Sequence, residues 1–462
     1  MNQSETGNKF LLSIILILIL INVGLHTINL SYPAKPVFDE AHFASYATHY
    51  ATHTPFFDIH PPLGKILYSA ILTLNDPARY QANPRFVEIK RNPKTDEIEI
   101  KTPVKEFGSF PYLSLRIMSA VFGILLGLSV YVFTKALTHK ELPAILAMFL
   151  TIFDNALLLE TRLILLNGVY LTFGFFALAL FFKKKPAPLL AGLMWGFALS
   201  TKLIGVVFIG PVIALIVLTK GEARWTAIRR FLIFLATGFG VLALFLLVVN
   251  PSIIPVNQSF KLYQSLISDF KPAASLNFGG TLSFLNPIAP YIKLSAIEFY
   301  IMLSGYTGGV PTHPFQSHWY TWPFMTKTMP YFRESPGATQ SISLVGNPVI
   351  WALSLFSVLA VLAYNKRYLL QNAQHRNFWL LIIGYFSSLL PFALIERPAF
   401  LYHYFPALIF SICIASLFIQ NELMLSISSK KSMIMTLLIA TIIIAFLLVA
   451  PLTYGWPQFL FN

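Results

Sequence analysis

Eight stretches of this sequence are long and apolar enough to cross a lipid bilayer, and they limit the possible folds more than any other feature. They lie near residues 10–30, 112–136, 163–182, 231–250, 345–364, 378–396, 401–419 and 433–451. A transmembrane helix needs about 20 mostly apolar residues. Only 11% of the 462 residues are charged, against roughly a quarter in soluble domains. The pattern excludes a water-soluble fold and predicts an all-α polytopic membrane protein.

Two further regions complete the predicted topology. Residues 142–158 are apolar and lie between polar clusters, which predicts a ninth span. Residues 187–219 are too long for one span, and basic clusters flank them on both sides. Basic loops are typical of the cytoplasmic face, so an even number of crossings must join the two clusters. We expect two short helices that meet near Thr201-Lys202, which makes eleven spans.

This topology places two long segments, 31–111 and 251–344, on the outer face of the cell membrane. The N-terminus is then cytoplasmic and the C-terminus is outside. Within the second segment, Tyr291 to Leu303 is apolar but contains charged residues, which favours a helix lying in the membrane interface. The formal net charge of +14 is typical of contact with anionic lipid rather than nucleic acid. Residues 1–462 are predicted to form a single membrane domain.

Two adjacent carboxylates, Asp39 and Glu40, follow the first span directly. Burial at a membrane surface raises the pKa of a carboxylate unless a cation lies near it, and such a group can act as a general base. The alternative is a solvated pair in a loop. These residues become a candidate catalytic pair because of the motifs that follow them.

The next motif runs from Phe56 to Lys65 and contains His60-Pro61-Pro62. The prolines prevent a helix from running through, and Gly64 permits a tight turn. Such a turn could hold His60 and Lys65 beside the two carboxylates. A loop that only rests on the bilayer is the alternative.

Arginines at the membrane edge form a third candidate group. Arg116 opens the second span, and Arg162 and Arg397 lie at the outer ends of other spans. Their planar guanidinium groups suit a phosphate, although a single arginine near a helix end often reaches a lipid headgroup instead. Apolar residues surround Arg116 on both sides, which favours a specific partner.

Aromatic and imidazole groups are concentrated in two later motifs. One runs from His313 to Pro323 and includes Trp319 and Trp322, and the other runs from Arg397 to Pro406 and includes Tyr402 and His403. Stacking rings with interleaved hydrogen-bonding groups suit a sugar or a lipid phosphate. Aromatic belts at the membrane interface have a similar composition.

Taken in order along the chain, these motifs resemble the protein O-mannosyltransferases, which share the lipid-phosphosugar-dependent GT-C fold. The resemblance spans nearly the whole chain. The residues that carry it are Asp39-Glu40, His60 to Lys65, Arg116, Arg162 with Leu165-Leu166, Ser200-Thr201-Lys202, His313 to Pro323, Gly346-Asn347-Pro348 and Arg397 to Pro406.

The resemblance implies transfer of mannose from a polyprenyl-phosphate-mannose lipid to Ser or Thr hydroxyls of secreted or membrane proteins, which are delivered by the translocon. It implies Asp39 as the base and Glu40 as its neighbour in the catalytic pair. Direct attack opposite to the leaving group would invert the anomeric carbon, and arginines could neutralise the phosphate without a metal or another cofactor, although a divalent metal could bind the Asp39-Glu40 pair. The implied phosphate-binding residues are Arg116, Arg397, Tyr402 and His403. The implied residues for positioning of acceptor and sugar are His60, Lys65, His313, Trp319 and Trp322.

The chain departs from the eukaryotic members of this family in two ways. Residues 251–344 are too short to hold the soluble β-trefoil module of those members, which indicates a prokaryotic type. Asn167 stands where the family commonly has an acidic residue after the Leu-Leu pair. The sequence therefore gives Asn167 no catalytic role.

Two other functions remain open from the sequence. A GT-C enzyme could transfer its sugar to lipid A or to another envelope glycan, since such enzymes also have paired acidic residues after the first span. A transporter or lipid flippase would instead place charges at mid-membrane and contain repeated halves. Here the charges gather at the outer surface and no repeat is visible, which favours an enzyme.

Overall fold

The structure is a computed structural model that describes most of the chain. The described residues are 3–56, 58–81, 86, 88–91, 98–101, 105–254, 313–335, 339–363, 373–395, 398–423 and 429–457, with a few isolated residues between 283 and 296. Every structural statement below concerns this part of the protein.

Helices dominate the described residues. In the first half of the chain they are α1 (Gln3–Thr27), α2 (Glu40–Ala51), α3 (Leu63–Leu72), α4 (Pro77–Gln81), α5 (Tyr112–Thr138), α6 (Glu141–Ile152), α7 (Asn155–Glu160), α8 (Asn167–Phe182), α9 (Pro188–Thr201), α10 (Ile209–Leu218), α11 (Glu222–Leu244) and α12 (Asn250–Ile253). In the second half they are α13 (Pro348–Ala363), α14 (Ala373–Leu389), α15 (Phe405–Leu423) and α16 (Ser429–Tyr454).

Six helical segments of the described chain are long and apolar enough to span a membrane. They are Phe10–Thr27, Tyr112–Thr138, Glu222–Val249, Arg376–Leu394, Leu401–Glu422 and Ser429–Tyr454. Shorter apolar helices occupy several of the other predicted spans, including α6, α8 and α9. The number of eleven crossings and the orientation of the chain stay predictions.

The predicted break in the apolar stretch 187–219 is confirmed. Helix α9 ends at Thr201, and Lys202 has extended backbone with φ −147° and ψ 134°. A short 3-10 helix, Leu203–Phe208, then leads into α10. The break places the partly buried Lys202 at the junction of two helices, which is where a cation can serve a site.

The helices pack in an order that brings the C-terminal end of α1 to the N-terminal end of α5, and the C-terminal end of α9 to the N-terminal end of α8. Helix α5 packs against α8, α8 against α9, and α9 against α11. The first outer segment contributes α2, α3 and α4 and a hairpin of β1 (Glu88–Arg91) and β2 (Ile98–Lys101). Since α2 packs on α3 and α3 contacts both α5 and α9, this segment covers the ends of the central helices.

The second outer segment is described at residues 251–254, at a few positions between 283 and 296, and from residue 313 onwards with a gap at 336–338. It contains a 3-10 helix, Trp319–Phe324, and an antiparallel hairpin of β3 (Met329–Arg333) and β4 (Ser341–Leu344). Most of the predicted interfacial helix Tyr291 to Leu303 lies outside the described residues.

A buried polar cluster fixes this segment to the membrane helices. The Asn347 side chain donates to the carbonyl oxygens of Phe153 and Ile442, at 3.1 and 3.0 Å. The Asp154 carboxylate accepts from the Asn347 backbone N–H and from the Trp351 indole, at 3.0 and 2.8 Å. The Gly346-Asn347-Pro348 motif is therefore used to hold the structure together.

Candidate active site

Asp39 lies at the start of α2, on the side of the molecule formed by the first outer segment. Its backbone carbonyl accepts hydrogen bonds from the N–H groups of His42 and Phe43, at 3.0 and 3.2 Å. Its side chain does not cap the helix. Burial raises the pKa of the Asp39 carboxyl, while the charges of His42 and Lys202 lower it. A carboxylate in this setting can accept a proton from a bound hydroxyl.

Glu40 is fully buried, and hydrogen bonds occupy both of its carboxylate oxygens. Arg116 donates from Nε to Oε1 at 2.8 Å and from Nη2 to Oε2 at 2.6 Å. The backbone N–H groups of Val37 and Ile164 each donate to this carboxylate at 2.9 Å. Glu40 therefore joins α2 to α5 and to the connection before α8.

The N–H groups of the Arg116 guanidinium are likewise all used in hydrogen bonds within the protein. Besides the two bonds to Glu40, it donates to the carbonyl oxygens of Leu30, Pro33 and Lys35 at 3.1, 3.0 and 3.3 Å. An arginine has five N–H donors, and each of them has a protein acceptor here. The roles predicted for Glu40 and Arg116 at the reacting groups stay predictions, and their contacts fit positioning of the Asp39 loop.

Arg162 has a similar position at the outer ends of the helices. It donates to the carbonyl oxygens of Leu25, at 2.7 Å, and Ile28, and its guanidinium lies 4.3 Å from the centre of the Tyr454 ring. These contacts tie the first described helix to the last one. The sequence alone offered a phosphate or a lipid headgroup as partners for this arginine, whereas the structure provides protein partners.

The ring of Phe38 connects Asp39 with two tyrosines and with Lys202. Phe38 has a left-handed backbone, with φ 52°, and stacks on Tyr331 with ring centres 4.4 Å apart. Its ring centre is 6.0 Å from that of Tyr402. The Lys202 ammonium is 5.5 Å from the centre of the same Tyr402 ring. A carboxylate, a cation and three aromatic rings thus share one region.

Lys202 and Glu160 are polar residues of this region to which the sequence gave no role. The Lys202 ammonium donates to the side-chain oxygen of Asn167 at 2.9 Å. The Asn167 amide donates to Glu160 at 2.7 Å. The sequence marked Lys202 as part of the break between two helices and of the Ser200-Thr201-Lys202 motif, and Glu160 as part of the polar cluster after residues 142–158. Their position at helix ends is the one signal that could have indicated them.

His60 and Lys65 form a separate buried cluster beside α2. Lys65 makes an ion pair with Asp58 and donates to the His60 carbonyl oxygen at 2.5 Å. The imidazole of His60 lies against the Phe43 ring, with 6.1 Å between ring centres. The cluster holds the loop before α3 in place, and the roles of His60 and Lys65 in positioning substrates stay predictions.

Gly64 has a different function from the expected tight turn. It lies in the first turn of α3, and a Cβ atom on it would be 2.5 Å from the Leu166 side chain and 3.0 Å from that of Thr201. The missing side chain lets α3 approach the connection before α8 and the end of α9.

Replacing Lys65 with Met should loosen the first outer segment. The change leaves the buried Asp58 carboxylate without its cation, which costs about 1–3 kcal/mol of local stability. We expect faster limited proteolysis between residues 52 and 63. The matched change Lys105→Met, at an exposed lysine of the same segment, should leave the cleavage rate unchanged. Equal rates for both variants would contradict this role of Lys65.

The other predicted positioning residues differ in exposure. His313 is exposed and its charge lowers the pKa of Asp39, so it faces the same region. Trp319 is partly exposed, but Trp322 is buried and donates to the Ser317 hydroxyl at 2.9 Å. The Trp322 ring also lies against the imidazole of His403. Trp322 therefore has structural contacts, and its predicted role toward substrate stays a prediction.

Of the predicted phosphate-binding residues, Tyr402 and His403 are adjacent to the site. Their rings stack with centres 4.4 Å apart. Arg397 lies outside the described residues. Within the described ranges, no group of three or more His, Cys, Asp or Glu side chains could hold a metal ion. The reaction without a metal stays a prediction.

Two models of known protein families match nearly all of this sequence. The sequence model of the dolichyl-phosphate-mannose-protein mannosyltransferase family matches residues 15–254, just over half of the chain. A second model, the C-terminal four-transmembrane region of protein O-mannosyltransferase, matches residues 299–459. The two matches together include the Asp39 loop, Lys202 and the motifs around Trp322 and His403.

Curated relatives agree with this match over part of their length. The dolichyl-phosphate-mannose–protein mannosyltransferase 4 of Schizosaccharomyces pombe is 30% identical over 211 residues, which are 43% of this chain and 25% of that protein. The protein of the same name from Saccharomyces cerevisiae is 29% identical over 188 residues, 38% of this chain and 23% of that protein. The matched region is thus about a quarter of the length of these relatives.

Solved structures share the fold. The S. cerevisiae protein O-mannosyltransferase Pmt1-Pmt2 complex bound to the sugar donor aligns with a TM-score of 0.74 at 15% identity, covering 97% of this chain and 90% of that chain. The Archaeoglobus fulgidus oligosaccharyltransferase aligns with a TM-score of 0.57 at 14% identity, covering 97% and 56%. The predicted all-α polytopic membrane fold of GT-C type is confirmed. This chain belongs to the dolichyl-phosphate-mannose-protein mannosyltransferase family.

Proposed function

We propose that this protein transfers mannose from a polyprenyl-phosphate-mannose lipid to Ser or Thr hydroxyls of proteins at the outer face of the membrane. The names of the curated relatives support this donor class and this acceptor class. The observation that carries the proposal is the position of Asp39, a partly buried carboxylate that shares one region with the Lys202 ammonium and the rings of Phe38 and Tyr402. The Asp39 carboxylate can accept a proton, and the Lys202 ammonium can bind an anionic phosphate.

Asp39 is the general base of the proposed reaction. The acceptor hydroxyl gives its proton to the Asp39 carboxylate while its oxygen forms a bond to C1 of mannose. The bond between C1 and the phosphate oxygen breaks, and its electron pair leaves with the polyprenyl phosphate. Attack opposite to the leaving group inverts C1, so a β-linked donor gives an α-linked product.

Lys202 is the cation that receives the departing phosphate. Arg116 was the residue predicted for this role, but all five of its N–H donors have protein acceptors. The Lys202 ammonium is partly exposed and donates to the neutral amide oxygen of Asn167. A cation held in a fixed place stabilises charge that develops on a leaving group.

The aromatic rings around this pair suit the sugar. Phe38, the neighbour of Asp39, contacts the rings of Tyr331 and Tyr402, and the Lys202 ammonium lies near the Tyr402 ring. The faces of these rings can cover the apolar side of a pyranose ring, while His313 and Trp319 lie at the more exposed edge. We assign the acceptor peptide to that exposed edge, where a secreted protein leaving the translocon can reach Asp39.

The proposal is tested with purified protein, radiolabelled polyprenyl-phosphate mannose and a Ser/Thr-rich peptide. We expect label in the peptide, in a form that alkaline β-elimination releases. A parallel reaction with lipid A as acceptor tests transfer to an envelope glycan. Label in lipid A with none in the peptide would overturn the protein acceptor, and no transfer to either would overturn the donor assignment.

Replacing Lys202 with Gln should weaken donor binding. A hydrogen bond to a charged group contributes about 1.5–3 kcal/mol, so we expect the KM for the donor to rise at least about tenfold. Lys184→Gln removes the same charge at an exposed position beyond the other end of α8 and should have no effect. An unchanged donor KM for Lys202→Gln would contradict the phosphate assignment.

A further inference from the structure

A chain of three hydrogen bonds connects the second outer segment to the proposed phosphate cation. The Tyr331 hydroxyl on β3 donates to Glu160 Oε1 at the end of α7. The amide Nδ2 of Asn167, the first residue of α8, donates to Glu160 Oε2 at 2.7 Å. The Lys202 ammonium, just after α9, donates to Asn167 Oδ1 at 2.9 Å.

The chemistry of these groups allows only one orientation of the Asn167 amide. An ionised carboxylate only accepts hydrogen bonds and an ammonium only donates them, whereas an amide has one side of each kind. If the Asn167 amide turned over, its NH2 group would face Lys202 and its oxygen would face Glu160. Both contacts would then be lost. Ionised Glu160 therefore keeps the amide oxygen of Asn167 turned toward Lys202.

The surroundings of Glu160 keep this arrangement rigid. Glu160 is 1% exposed and Asn167 is 5% exposed. Burial raises the pKa of Glu160 to about 7, although the hydrogen bonds from Tyr331 and Asn167 and the charge of Lys202 act in the opposite direction. Tyr331 also stacks on Phe38, the neighbour of Asp39. The base and the cation are therefore connected through one set of contacts.

We propose that Glu160 and Asn167 are positioning residues: the chain Tyr331–Glu160–Asn167–Lys202 holds the Lys202 ammonium where the donor phosphate binds. This inference rests on the proposed function. Asn167 suits the task because a neutral amide fixes the ammonium without neutralising it. The chain also ties the cation to the β3–β4 hairpin, so that the outer segment and the phosphate site move as one unit.

The first test is the affinity for polyprenyl phosphate, which requires no transfer reaction. Asn167→Leu removes the hydrogen bonds of this side chain to Glu160 and Lys202. Because the Lys202 ammonium is then no longer held in place, the Kd for polyprenyl phosphate should rise at least about tenfold. Asn377→Leu is the matched control, because Asn377 is a buried asparagine that donates to the Leu137 carbonyl oxygen. It should lower the thermal unfolding midpoint similarly and leave the Kd unchanged.

An exchange of charge between the two positions gives a sharper test. In Asn167→Asp two carboxylates meet, and the chain survives only while they share one proton. The Kd of this variant should therefore rise as the pH increases from 6 to 9. In the double variant Glu160→Gln with Asn167→Asp, the new amide donates to the new carboxylate. The Kd should then lose this pH dependence.

The outcomes separate this inference from the function on which it rests. Wild-type protein that does not bind polyprenyl phosphate would overturn the proposed function, and the positioning role with it. Wild-type protein that binds, together with unchanged Kd values for Asn167→Leu and Asn167→Asp, would overturn the positioning role alone. A double variant whose Kd keeps the pH dependence of Asn167→Asp would also overturn it, because a structural defect is not repaired by exchanging the charge.

Discussion

Mannose transfer should fall about 10²- to 10⁴-fold when Asp39 is replaced by Asn, since a positioned general base contributes that much to a rate. The amide has nearly the shape of the carboxylate, and Asp39 does not cap α2, so the fold and the donor affinity should be kept. Single-turnover transfer from a labelled donor measures the loss. Asp76→Asn, at an exposed residue of the same outer segment, should transfer at the wild-type rate.

The pH profile provides a second sign of this base. Burial raises the pKa of Asp39, and only the ionised form accepts the hydroxyl proton. Transfer should therefore decline as the pH falls through this raised pKa, at a higher pH than the pKa of about 3.9 of an ordinary aspartate would give. A profile that stays flat down to that ordinary pKa would refute Asp39 as the base.

Replacing Glu40 with Gln should cause the largest loss of stability in this region. The change leaves the fully buried guanidinium of Arg116 without its counter-charge, and breaking a buried ion pair typically costs about 3–5 kcal/mol. We expect a much lower thermal unfolding midpoint in detergent and less protein in the membrane. Addition of the lipid donor should raise the unfolding midpoint of the remaining folded protein by as much as it does for the wild type.

Arg116→Lys distinguishes the observed contacts from the role that was predicted for Arg116. Lysine keeps the charge but cannot reach the acceptors that the planar guanidinium contacts. A positioning role predicts a lower unfolding midpoint with nearly normal donor affinity in the folded fraction. Weaker donor binding at an unchanged midpoint would instead support Arg116 as a phosphate ligand.

Asp39 and Glu40 are adjacent in the sequence but face different surroundings, which is why the sequence could not assign their roles. Adjacent carboxylates look equivalent in a sequence, but Asp39 precedes α2 whereas Glu40 is its first residue. Successive residues of a helix point about 100° apart. One side chain is therefore free to face a substrate while the other is turned toward α5 and Arg116.

The membrane segments were more predictable than the contacts between them. The break at Thr201-Lys202 followed from the length of the apolar stretch and from the basic residues on both sides of it, because both features obey general rules. The contact between Lys202 and Asn167 joins residues 35 positions apart. Nothing in the local pattern indicates it, since it depends on how α8 and α9 pack.

The contact of Glu160 with Tyr331 is a second one that the sequence could not predict. Its polarity correctly marked the end of an apolar stretch, but its partner Tyr331 is 171 positions away, in the second outer segment. Aromatic residues in that segment were interpreted as contacts for sugar or for the membrane interface. Those interpretations concerned the motif from His313 to Pro323, whereas only the packing of the β3–β4 hairpin makes Tyr331, beyond that motif, a partner of a buried carboxylate.

Asp39 takes the proton and Lys202 takes the phosphate in the proposed reaction, and one paired measurement tests both roles. Donor Kd and single-turnover transfer rate are determined together for wild type, Asp39→Asn and Lys202→Gln. We expect a lost rate with a normal Kd for Asp39→Asn, and a raised Kd for Lys202→Gln. A normal rate for Asp39→Asn, or a normal Kd for Lys202→Gln, would contradict these roles.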